Sequence, residues 1–152
     1  MLRLSKLTDY AVVVLMRLST TSDTAVQTSP FIAAATGVPE PTVAKVLKAL
    51  TANSLVVSQR GARGGYRLIK PLHAISIADV IAAIDGPIAL TACVEGGPGS
   101  CDVSCVCAVR GRWDLVNDAI HQALSSITLG DMRDVSLPAF ARIETVSAEQ
   151  EI

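Results

Sequence analysis

The sequence predicts a mainly α fold carrying one small β-hairpin, and three observations predict it. The apolar half of the chain is aliphatic and alanine-rich, with Tyr10, Phe31, Tyr66, Trp113 and Phe140 as its aromatics. Apolar residues recur at helical spacing in several separate stretches. A single β-branched run, "LVVSQR", leads through a glycine-rich turn into the alternating segment "YRLIK". At 152 residues the chain can bury one sizeable core with an appendage.

The elements follow in order. "LTDYAVVVLMRL" from Leu7 to Leu18 is apolar nearly all round after Thr8 and Asp9, as a buried helix capped at its start would be. A polar loop leads to Ser29-Pro30, which reads as an N-cap with proline in the first helical position, and Gly37 ends that short helix. A second helix from Glu40 to Ala52 places Val43, Val46, Leu47 and Leu50 on one stripe and turns Pro41, Thr42, Lys45 and Lys48 the other way. Two short helices joined by a glycine-containing turn make a helix-turn-helix. The hairpin of residues 55–60 and 66–70 follows at once, with Arg60, Arg63 and Arg67 on its tip and flanks. That combination is a winged helix-turn-helix. Its "GARGG" turn is no phosphate-binding loop, because the Lys-Ser/Thr pair and the following helix are missing. Ser76 caps a helix "IADVIAAID" that Gly86 ends, and a long helix is expected from about Ala108 to Ile127. Its stripe of Val109, Trp113, Val116, Ile120, Leu124 and Ile127 suits a partner helix, by preference on a second subunit. "TLGDM" reads as a short terminal turn. The expected divisions are 1–86 for the winged domain, 87–107 for a cysteine-rich loop, 108–132 for the dimerisation helix and turn, and 133–152 for an acidic, partly disordered tail.

Charge divides the chain as well. Residues 1–70 hold nine lysines and arginines against three acids, and residues 71–152 hold four against eleven. A chance asymmetry is the plain alternative; a basic half built to meet a polyanion is the functional one. Lys45 and Lys48 could be a solvated face, but beside the wing they suit phosphate and base-edge contacts. Pro41, Thr42 and Lys45 would enter the major groove first, with Arg60, Arg63 and Arg67 holding backbone or minor groove. No apolar run reaches the ~18 residues that a membrane helix needs, and no secretory leader pattern opens the chain. A cytoplasmic protein is expected, without a membrane partner.

All four cysteines, Cys93, Cys101, Cys105 and Cys107, fall within fifteen positions of a polar, glycine-rich segment. In a cytosolic chain that clustering suggests metal or redox chemistry rather than disulfide scaffolding. Thiolates suit iron–sulfur clusters, and Gly96, Gly97 and Gly99 would let backbone approach one closely. Zinc could use the same thiolates, although the C-x2-C knuckle common in zinc sites is missing. A cluster-free thiol or disulfide sensor is the third reading. His73 and His121 stand without ligand company, and no nucleophile–base pair marks an enzyme.

"LSKLTDYAVVVLMRL", "IAAATGVPEPTVAKVLKALTANSLVVSQRGARGGYRL", the cysteine loop, "VRGRW" and "ITLGDM" together resemble the IscR/NsrR family of winged-helix regulators, the Rrf-two superfamily. The similarity spans nearly the whole chain and is greatest to the regulators of SUF iron–sulfur assembly operons. The resemblance implies a homodimeric, DNA-binding repressor on near-palindromic double-stranded DNA, not an enzyme, with affinity tuned by an iron–sulfur cluster, expected as 2Fe-2S. It places cluster ligands on Cys93, Cys101 and Cys107. Three departures accompany it. The loop has a longer first gap and an extra cysteine, Cys105. Arg110 stands where IscR proteins place a ligating histidine, and arginine has no lone pair to donate. Ala44 stands where their recognition helix carries an acid. Cys105 is the preferred fourth ligand, and Asp9, where NsrR-type relatives use a carboxylate from the partner subunit, is the alternative. Outside that reading stand the cluster-free regulator and a metal-binding redox protein or enzyme.

Overall fold

The computed structural model describes residues 3–20, 25–99, 101–103 and 106–134. Helix α1 (Lys6–Leu18) starts at Ser5, whose hydroxyl accepts from the Thr8 amide at 3.1 Å. The cap is therefore Ser5, and Thr8 lies inside the first turn. Thr8 is buried there and donates its hydroxyl to Asp85 at 2.7 Å. Helix α2 (Ser29–Thr36) is capped by Thr28 rather than Ser29, which shifts Pro30 one position further in. Gly37 ends it at φ 75°, a left-handed conformation that costs glycine no Cβ clash. Helix α3 (Glu40–Ala52) buries Val43, Val46, Leu47 and Leu50, the stripe its spacing predicts.

Strands β1 (Val56–Gln59) and β2 (Gly65–Leu68) pair antiparallel, with Val56 opposite Leu68 and Gln59 opposite Gly65. The hairpin is fastened to the helical body by Gln27, which exchanges backbone hydrogen bonds with Tyr66 at 3.0 and 2.8 Å. Gln27 is itself buried, and its side chain meets Arg17 at 3.2 Å. Gly65 permits this approach, since a Cβ there would lie 2.7 Å from the Gln27 carbonyl oxygen. After a 3-10 turn (Leu72–Ala74), helix α4 (Ile77–Asp85) opens on a capping box between Ser76 and Asp79. Leu15, Ile32, Leu47, Leu50, Val80 and Leu129 meet in one core that excludes solvent. Each such side chain contributes roughly 1.5–3 kcal/mol by leaving water.

The long helix is shorter than its periodicity predicts. Helix α5 runs Trp113–Ser126, and residues 108–112 form turns instead. Gly111 at φ 74° breaks the helical path between Val109 and Trp113, which keep a four-residue spacing without sharing a helix. "TLGDM" is more than a turn: α6 (Leu129–Arg133) has a capping box between Thr128 and Asp131 and buries Leu129 completely. Two backbone bonds, Ile77 N–H to Ile127 and Leu129 N–H to Ile75, both 2.9 Å, stitch the α5–α6 junction to α4. Residues 135–152 of the expected tail, and Cys105, lie outside the described residues. No helix among the described residues is long and apolar enough to cross a membrane.

Candidate nucleic-acid interface and thiol pocket

Lys45 and Lys48 stand exposed on the α3 face opposite its buried stripe, with Pro41 exposed and Thr42 half-buried at its start. Arg60 and Arg63 lie on the wing tip and Arg67 on β2, all exposed. None of these five cations has a carboxylate within ion-pair distance among the described residues, where both ion pairs involve Asp134. Arg17 differs: it donates to Gln27 and lies 5.2 Å from the Phe31 ring, so its charge serves the fold. The tip loop of residues 60–64 folds tightly, Gly61 at φ 111° and Gly64 against the Gln59 carbonyl. Five exposed cations without internal partners can exchange counterions for phosphates at little cost in lost contacts. Tyr66 packs half-buried against the hydrophobic core.

The second site gathers the cysteines. Cys93, Cys101 and Cys107 are free thiols lining one pocket of about 320 Å³ with Ala92, Val94, Gly99, Arg110 and Gly111. Val94 is a buried lining residue of that pocket, while Cys93 is exposed with its Sγ 3.3 Å from Thr91 Oγ1. The backbone folds closely here. A Cβ on Gly97 would lie 2.6 Å from the Thr91 carbonyl, and Gly99 holds φ 73°. No three His, Cys, Asp or Glu side chains among the described residues converge tightly enough for one metal ion. A two-iron cluster divides its ligands between two metals and asks for less convergence. Soft donors, glycine backbone and a cation at the wall fit such a group.

The loop is tethered by a residue the sequence reading missed. Asn117, 7% exposed on α5, accepts from the Leu90 amide at 3.1 Å and donates to the Ile88 carbonyl at 3.2 Å. Its polar side chain on an otherwise apolar face was the available signal. Asp9 does not line the thiol pocket. It borders a separate groove of about 780 Å³ with Val12, Ile77, Val80, Leu124 and Ile127. Along the expected dimer stripe, Trp113 and Val116 are about two-fifths exposed, whereas Leu124 and Ile127 pack on the chain's own core. Leu115, outside the stripe, is 77% exposed. His121 lies 3.4 Å from Ser125, and His73 faces Asp134 at 3.7 Å.

Residues 4–134 match the family model described as Rrf2, iron-dependent transcriptional regulator. The chain belongs to the Rrf2 family. An IscR transcriptional regulator of Enterobacter is 30% identical over 86% of this chain and 79% of its own length. Among solved structures, CymR, the global cysteine regulator of B. subtilis, superposes with a TM-score of 0.67 at 27% identity. That match covers 90% of this chain and all of CymR. T. potens IscR gives 0.62 at 27% identity, covering 90% and 89%. The fold is thus the winged helix of Rrf2 transcriptional regulators, and the protein is a regulator rather than an enzyme.

Proposed function

We propose that the protein is a homodimeric repressor of iron–sulfur assembly genes whose DNA affinity is set by a 2Fe-2S cluster held between Cys93, Cys101 and Cys107. One observation carries the reading: three free thiols line a single pocket leading into α5. The cluster, when bound, supplies an oxidisable and destructible group whose presence reports iron and redox status. The chain's own residues do the rest. Pro41, Thr42 and Lys45 read the major groove, and Lys48, Arg60, Arg63 and Arg67 hold phosphates. A dimer through Trp113, Val116, Ile120, Leu124 and Ile127 sets two recognition helices about one DNA turn, ~34 Å, apart. The Asn117 tether and the α5–α6 stitch join the pocket to the winged domain. Cluster loading then shifts DNA affinity only as far as it favours one arrangement of the dimer. Cys105 is the preferred fourth ligand and Asp9 of the partner copy the alternative.

A cluster-free thiol sensor is the second reading. It is favoured by the exposed Cys93 thiol and by the likeness to CymR, the global cysteine regulator of B. subtilis. Anaerobic purification separates the two. Stoichiometric iron and sulfide, with duplex affinity that changes on cluster removal, support the cluster. Cys93→Ser, Cys101→Ser and Cys107→Ser should abolish loading, and either Cys105→Ser or Asp9→Ala should weaken it. A metal-free protein whose DNA binding answers to thiol oxidants overturns the cluster reading. A wild-type monomer in sedimentation at micromolar concentration overturns the dimer, for which Ile120→Asp is the matched disruptive variant.

A further inference from the structure

We propose that Arg110 is the charge-compensating residue of the thiol pocket, raising the reduction potential of the cluster held there; this rests on the cluster reading above. Arg110 lines the same pocket as Cys93, Cys101 and Cys107. Its amide donates to the Cys107 carbonyl at 3.3 Å, and Gly111 at φ 74° turns the chain immediately afterwards. The turn therefore ties the arginine to the last cysteine rather than to α5. Arg112, two residues on, does not line the pocket.

Arg110 has no carboxylate within ion-pair distance among the described residues. Glu95, Asp102 and Asp114 lie near in sequence, yet none pairs with it. An arginine that lines a pocket of thiols and has no ion-pair partner among the described residues is available to an anion held there. It cannot be a ligand, since it stays protonated and offers no lone pair. Its value is its permanent charge. A thiolate-bound cluster is anionic, and one-electron reduction adds a further negative charge. Net charge and hydrogen bonds to the sulfurs are among the terms that set such potentials. A fixed cation stabilises the reduced form more than the oxidised one, and its loss lowers the potential. Because Arg110 is exposed, salt screens the effect.

The test compares anaerobically reconstituted wild type, Arg110→Gln and Arg110→Lys, reading iron and sulfide content, visible spectrum and spectroelectrochemical midpoint. Arg110→Gln should load the cluster and lower the reduced-to-oxidised ratio at fixed potential by about three- to tenfold, up to about 59 mV for a one-electron couple. Arg110→Lys should restore most of that difference, and the gap between Gln and wild type should narrow at high ionic strength. A midpoint unchanged in Arg110→Gln overturns the inference, as does a lysine variant that behaves like glutamine. A wild type that takes up no cluster instead overturns the reading beneath it, so the two failures are distinct.

Discussion

Asn117→Ala removes a single side chain that holds two backbone groups of the segment leading into the cysteine loop. The Leu90 amide and the Ile88 carbonyl would lose their partners at 3.1 and 3.2 Å. A buried group left unpaired costs about 1–3 kcal/mol. Ile88 and Leu90 are only half-buried, so water recovers part of that loss. A total of about 1–2 kcal/mol follows, or a fall of roughly 2–8 °C in Tm for a chain of this size. Asn117→Asp should be worse, because it keeps the acceptor for Leu90 but sets a buried charge against the Ile88 carbonyl. The assay is thermal unfolding of the reduced, metal-free protein, joined to the rate at which the half-buried Cys101 and Cys107 react with a thiol reagent. Untethering should raise that rate severalfold while DNA-interface variants leave it alone. An alanine variant melting within about 1 °C of wild type, with unchanged thiol labelling, would refute the tether.

Arg63→Ala should weaken duplex binding across sequences and flatten the salt dependence by about one phosphate per subunit, whereas Lys45→Ala should alter sequence preference; filter-binding titrations at several salt concentrations decide. Gly65→Ala drives a Cβ against the Gln27 carbonyl and should cost about 1–3 kcal/mol, loosening the wing and reducing DNA affinity with it. Hydrogen bonds from the Thr128 backbone, then from its side chain, hold the Asp131 carboxyl below its ordinary value. Its contribution is therefore present above the unfolded carboxylate range and is lost as pH falls through the lower folded value. Asp131→Asn should flatten the acid limb of a Tm-versus-pH curve, leaving the slope above pH ~5 unchanged.

How far the sequence could be read depended on the length of each periodic signal. Helix α3 and helix α4 match their predicted limits because each has a full apolar stripe between strong end signals, such as Ser76 and Gly86. The hairpin agrees within two residues at each end, since its strands carry both β-branched residues and a glycine turn. Periodicity misled at α5, where Val109 continues the spacing across Gly111 although the backbone turns there. It was silent for α6, five residues long, whose only mark was the Thr128-x-x-Asp131 capping box. At the thiol pocket, residue types announced soft-ligand chemistry, and folding brought Cys93, Cys101 and Cys107 to one cavity. The position of Arg110 three residues after Cys107 was visible in the sequence, and so was a polar Asn117 on an apolar face, but the pocket that Arg110 lines and the Ile88 and Leu90 groups that Asn117 holds are set by folding.

The paired backbone bonds joining Ile77 to Ile127 and Leu129 to Ile75 act as a fulcrum. Helix α5, fourteen residues at about 1.5 Å each, is then a lever arm of roughly 21 Å running from that fulcrum towards the cysteines. A tilt of about 10° at the fixed end sweeps the far end through roughly 4 Å, a distance comparable with the reach of a side chain. The amplification runs in both directions. A shift near α4 would be larger at the thiol end of α5, where Asn117 carries the Ile88–Leu90 segment with it, and a pocket drawn together around an occupant would return its pull to α4.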